Sequence, residues 1–74
     1  MNAFQCKMAR AATGLGVREL ASLSEVSPNT VARLERGEEL KKATVDTICK
    51  ALEAAGVEFI PENGGGAGVR LKKI

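Results

Sequence analysis

The sequence predicts a mainly α fold, four short helices followed by a C-terminal β-hairpin. Three observations carry this. Apolar residues recur at three- and four-residue spacing up to Leu52, the period of a half-buried helix. Glycines or capping residues separate the periodic stretches. Beyond Gly56 the period changes to alternation on either side of a glycine-rich loop, the pattern of a hairpin.

Residues 3–13, AFQCKMARAAT, are good helix formers, with Cys6, Ala9 and Ala12 or Thr13 on one side and Gly14 as the stop. Leu15 is a lone hydrophobe before a second helix from about Val17 to Ser24, whose apolar positions are Leu20, Ala21 and Leu23. Ser27-Pro28 reads as a helix start, because Ser caps free amides and Pro at the first position loses no hydrogen bond. In that third helix Val31 and Leu34 face inward, while Asn29, Thr30, Arg33 and Arg36 point elsewhere; Gly37 closes it in a left-handed conformation. A charged connector anchored by Leu40 leads to a fourth helix, with Thr44 expected as N-cap and Asp46 in the first turn. Its buried stripe is Val45, Ile48, Cys49 and Leu52, and Gly56 ends it. Residues 57–60 and 69–72 then alternate, with Val57 and Phe59 on one strand face and Val69 and Leu71 on one face of the other. An isolated hairpin is only marginally stable, so this one packs on the helices, pairs with another copy, or both.

Seventy-four residues make one small domain. A chain of this size buries only about 60% of its unfolded surface, so a dimer is an attractive source of further burial. There is no His, and Cys6 and Cys49 lack metal-ligand spacing. Both lie on apolar helix faces, which favours free thiols in a reducing cytoplasm over a Cys6–Cys49 disulfide, the alternative. Net charge is +2, carried by residues 1–37, which hold five basic and three acidic side chains; residues 38–74 hold six of each. That asymmetry fits a solvated face as well as a polyanion site. No apolar run approaches membrane-spanning length, and no basic segment followed by an apolar block opens the chain, so a soluble, unexported protein is expected.

Enzymatic chemistry is not expected. With no His, a single Asp (Asp46) and cysteines on core stripes, no nucleophile, base and orienting group can be assembled. The Gly64–Gly68 cluster is not followed by a helix or by a Lys-Ser/Thr pair, so it reads as a hairpin loop rather than a phosphate cradle. No cofactor, metal or small-molecule ligand is implied.

The second and third helices fit a different pattern. Leu20, Ala21, Val26, Val31 and Leu34 fall where a helix-turn-helix needs buried residues, with Ala21 at the crossing where only a small side chain fits. Such a pair presents its second helix to the DNA major groove. The words GLGVRELA at 14–21, VSPNTVARLERG at 26–37 and ATVDTICKAL at 43–52 resemble the Cro/C1-type (XRE-like) helix-turn-helix family, over residues from about 5 to 57. The resemblance implies a lambda-repressor-like four-helix DNA-binding domain over residues 1–56. The 57–74 hairpin is then expected to be a dimerisation element of the same compact domain, through Val57, Phe59, Ile60, Val69 and Leu71.

Position by position, the resemblance makes Pro28, Asn29, Thr30 and Arg33 the base readers. Pro28 would offer only apolar contact, while Asn pairs with adenine and Arg with guanine, each worth about 1–3 kcal/mol of discrimination. Arg36, Lys41 and Lys42 would face phosphates, with Ser27, Thr44 and helix-start amides assisting. The plainer readings are a solvated connector for the lysines and a surface ion pair for Arg33. Arg10 and Glu35 match positions that form a structural ion pair in the family. Two departures stand out: Val17 replaces a Gln that braces phosphate and recognition helix, leaving Arg18 to supply a backbone contact, and Glu25 replaces a turn Gly. A left-handed Glu25 would cost roughly 1 kcal/mol.

The expected function is a sequence-specific, double-stranded DNA-binding transcriptional regulator, a small homodimeric repressor reading a palindromic operator, cytoplasmic and nucleoid-associated. The alternative is a protein-interaction module on the same fold, such as an antitoxin or an antagonist of another regulator. Arg70, Lys72 and Lys73 are further candidates for phosphate.

Overall fold

The first helix starts on a reciprocal cap. Asn2 Oδ1 accepts from the Gln5 amide at 2.8 Å and Gln5 Oε1 accepts from the Asn2 amide at 2.9 Å, so two orphan donors are satisfied together. In the computed structural model, which describes residues 1–72, this helix is α1 (Ala3–Thr13). It is followed by α2 (Val17–Ser24), α3 (Pro28–Glu35), α4 (Lys42–Ala54), β1 (Val57–Ile60) and β2 (Gly68–Leu71). The architecture is the expected one, mostly helical with a two-stranded antiparallel hairpin at its end.

Cys6 and Ala9 of α1, Leu20 and Ala21 of α2, Val31 and Leu34 of α3, Ile48 and Leu52 of α4, and Val57 of β1 form one buried cluster. Leu15, Val17, Val26, Leu40, Val45, Phe59 and Val69 pack around it. Ala21 is buried, and α2 packs on both α3 and α4.

The hairpin lies against α1 and α4. Its register pairs Val57 with Leu71 and Phe59 with Val69. Gln5 fastens it from α1: the buried amide donates from Nε2 to the carbonyls of Ile60 and Gly68, both at 3.1 Å. On the outer side Arg70 Nε donates to Glu58 Oε1 at 2.6 Å, a cross-strand pair.

Three expectations need correction. Thr44 is not the cap of the fourth helix, which begins three residues earlier than that cap would place it, at Lys42, with Lys41 as N-cap and no side-chain cap bond. Lys42 and Ala43 are good helix formers, so the helix extends back over them, and Asp46 consequently sits beyond the first turn, 3.9 Å from Lys42. Leu23, one of the apolar positions of the second helix, is 58% exposed. The inward position goes to Ser24, whose hydroxyl donates to the Leu20 carbonyl at 2.7 Å and so enters the core without an unpaired polar atom. Val57, expected at a dimer contact, is fully buried within one chain because β1 lies on α4; it has no surface left for a second copy.

Candidate nucleic-acid interface

The link between α2 and α3 determines how the third helix is presented. Glu25 adopts φ 58°, the one left-handed residue other than glycine among those described. Its amide donates to the Ser22 carbonyl at 3.2 Å and the Val26 amide to the Ala21 carbonyl at 3.0 Å, closing α2 as a glycine would. The chain thus accepts the strain of a left-handed glutamate and keeps the turn. Val17, the other departure, packs partly buried against the core. Arg18 next to it is exposed, with no ion-pair partner among the described residues.

Ser27 caps α3 as expected, its Oγ accepting from the Thr30 amide at 3.2 Å and sharing a 2.9 Å hydrogen bond with the Thr30 hydroxyl. Pro28 occupies the first turn. With Val31 and Leu34 buried, Pro28 and Asn29 are exposed and Thr30 and Arg33 are half-buried. An open groove of about 490 Å³ runs beside α3, lined by Val26, Ser27, Thr30, Arg33, Glu39, Leu40, Lys41 and Thr44. The structure therefore brings Ser27, Thr30, Arg33, Lys41 and Thr44 to one concavity. Lys42 lies outside this lining and is held loosely by Asp46.

On its other face α3 is anchored by charge. Arg10 donates from Nε to Glu35 Oε2 at 2.6 Å and from Nη2 to Glu35 Oε1 at 2.7 Å, a two-pronged pair between α1 and α3. The Cys6 thiol donates to the same carboxylate at 3.2 Å. Burial alone would push the Glu35 carboxyl upward, but the bonds from Arg10 and Cys6 hold it below the ordinary carboxylate range. Burial, together with the bond to Glu35, pushes the Cys6 thiol up to about 12. Cys6 and the half-buried Cys49 are both free thiols.

One residue of this surface escaped the sequence reading. Arg33 Nε donates to Glu38 Oε1 at 3.0 Å, while Arg36 donates to Glu38 Oε2 from Nε at 3.0 Å and from Nη2 at 2.8 Å. The Arg33 and Arg36 hydrogen bonds hold the Glu38 carboxyl below its ordinary range. The signal available in the sequence was the glycine before it. Gly37, at φ 87°, reverses the chain so that the Gly37 amide meets the Leu34 carbonyl at 3.0 Å and the Glu38 amide meets the Arg33 carbonyl at 3.1 Å. A residue following such a turn lies back over the last helical turn.

At the far end, Arg70 is paired with Glu58 and Lys72 donates to the Glu53 carbonyl at 3.0 Å; Lys73 lies outside the described residues. Phe59, Ile60 and Val69 of the hairpin are half-buried, and Leu71 is 60% exposed.

A family model described as a helix-turn-helix domain matches residues 4–59, well over half the chain. No match is found among curated proteins.

Proposed function

Because the chain belongs to the helix-turn-helix domain family, of the XRE/Cro-like type, we propose that it is a sequence-specific, double-stranded DNA-binding transcriptional regulator that reads bases through α3. The observation that carries this reading is the division of α3. Val31, Leu34 and Glu35 bind it to the rest of the fold, while Pro28, Asn29, Thr30 and Arg33 line its free side beside an open, partly basic groove.

In this reading Asn29 and Arg33 contribute the directional hydrogen bonds to base edges, with Pro28 and Thr30 alongside. Arg18, Ser27, Arg36, Lys41, Lys42 and Thr44 contact phosphates and fix the register of the helix in the groove. One recognition helix covers too few base pairs for useful selectivity. The protein therefore acts as a homodimeric repressor on a palindrome, with half-sites about one helical turn apart. The dimer contact we assign is the hairpin (the second part of a domain whose first part is residues 1–56), through Phe59, Ile60, Val69 and Leu71, whose unpaired strand edges and exposed Leu71 support it.

The test is size-exclusion chromatography of the purified protein, followed by a gel-shift assay on its own upstream DNA at two salt concentrations. A dimer and a salt-steep shift are expected. A protein that leaves that DNA and unrelated duplex equally unshifted at low salt contradicts the reading.

A further inference from the structure

We propose that Glu38 is a positioning residue of the recognition helix, holding the Arg33 guanidinium by Nε so that its two terminal nitrogens are left for a bidentate contact with guanine. The inference rests on the DNA-binding reading above and extends it to a residue outside the helix.

Two independent observations support it. The first is the manner of contact. Arg33 engages the carboxylate through Nε alone, and among the described residues its Nη atoms have no partner, whereas Arg36 is taken up at both Nε and Nη2. A long side chain held at Nε loses most of its rotational freedom yet keeps a free two-donor end, which is what pairing with the O6 and N7 acceptors of guanine requires. The second is the backbone. The turn at Gly37 bonds the Glu38 amide to the carbonyl of Arg33 itself, so the main chain sets the Glu38 backbone beside Arg33, within reach of its guanidinium.

Charge gives Glu38 a second consequence. The carboxylate occupies Arg36 in the free protein, and Arg36 is one of the side chains that the DNA-binding reading assigns to phosphate. It therefore weakens binding to any duplex that supplies phosphates but no matching base. Arg36 exchanges carboxylate for phosphate on docking, while the Arg33–Glu38 bond persists.

The experiment is selection from a pool of random duplexes by the full chain, as wild type, Glu38→Gln, Arg33→Ala and the double variant, with affinities then measured on the selected site and on an unrelated duplex. Arg33→Ala identifies the base that Arg33 reads. Glu38→Gln is expected to reduce the preference for that base roughly 5-fold or more, part of what a bidentate contact supplies. It should also tighten binding to unrelated duplex about 2- to 5-fold by removing one negative charge beside Arg36. In the Arg33→Ala background, Glu38→Gln should no longer change base preference, and its thermal midpoint should match wild type. An unchanged preference in Glu38→Gln, or equal tightening on both duplexes, overturns the proposal while leaving the DNA-binding reading standing. A wild type that selects no sequence overturns both.

Discussion

Helix α3 carries two arginine–glutamate clusters built from the same chemical groups, and they do opposite work. Arg10 and Glu35 meet where their side chains are only 23% and 9% exposed, and the carboxylate is also bonded by a buried thiol. Arg33, Arg36 and Glu38 meet in the open, with Arg33 and Glu38 at 43% and 44% exposure. In the first cluster water cannot replace a lost partner, so the contact holds α1 to α3. In the second it can, so the cluster contributes little to stability, and Arg36 can exchange its carboxylate for a phosphate while Glu38 stays on Arg33. Geometry alone does not separate the two, since both have short, charge-assisted bonds; burial does.

The largest effect should come from breaking the buried cluster. Glu35→Ala strands Arg10 and the Cys6 thiol, and should cost about 2–4 kcal/mol of stability. Thermal denaturation would show this as a fall in Tm of roughly 8–32 °C for a domain of this size. A fall of only a degree or two would mean that the buried pair behaves like the exposed one.

Acid offers the same test without mutation. The Glu35 carboxyl is held below its unfolded value, so its contribution is fully present above about pH 4.3, the usual unfolded value. That contribution is lost as pH falls through the folded value. Denaturant midpoints measured from pH 6 downward should therefore drop for wild type and drop less for Glu35→Gln, which has no carboxyl to protonate. Parallel curves would contradict the assignment.

A smaller effect is expected between the clusters. Glu25→Gly relieves a left-handed glutamate and should stabilise the fold by up to about 1 kcal/mol without altering DNA binding. Loss of DNA binding in that variant would show that the turn residue, and not only its backbone, serves the interface. The smallest effect belongs to the open cluster: Glu38→Gln should leave Tm unchanged at low and at high salt.

Much of the fold was legible because local signals agreed with global ones. Gly14, Ser27-Pro28 and Gly37 punctuate the chain where the helices begin and end, and the change from helical period to alternation at Val57 marked the hairpin. The misplaced start of α4 has a local cause, since Thr44 is a good cap but Lys42 and Ala43 extend a helix just as well. Leu23 shows that hydrophobicity does not establish burial when a serine one position later can satisfy its hydroxyl on its own helix. Gln5 and Glu38 were missed for a different reason. Asn2 and Gln5 do spell a capping box, but the donors from Gln5 to Ile60 and Gly68 join residues far apart in the chain. The Glu38 bridge depends on a chain reversal that only the backbone reveals.

The central claim is that α3 has a structural face and a reading face that can be separated. The measurement that addresses it most directly is to titrate one duplex, selected by wild type, with wild type and Arg33→Ala while recording Tm on the same preparations. Arg33→Ala should lose about 10- to 100-fold in affinity for that duplex, the range of one bidentate base contact, with Tm within about 2 °C of wild type because only an exposed pair is removed. Unchanged affinity, or a loss of affinity accompanied by an equal loss of fold, would contradict the account.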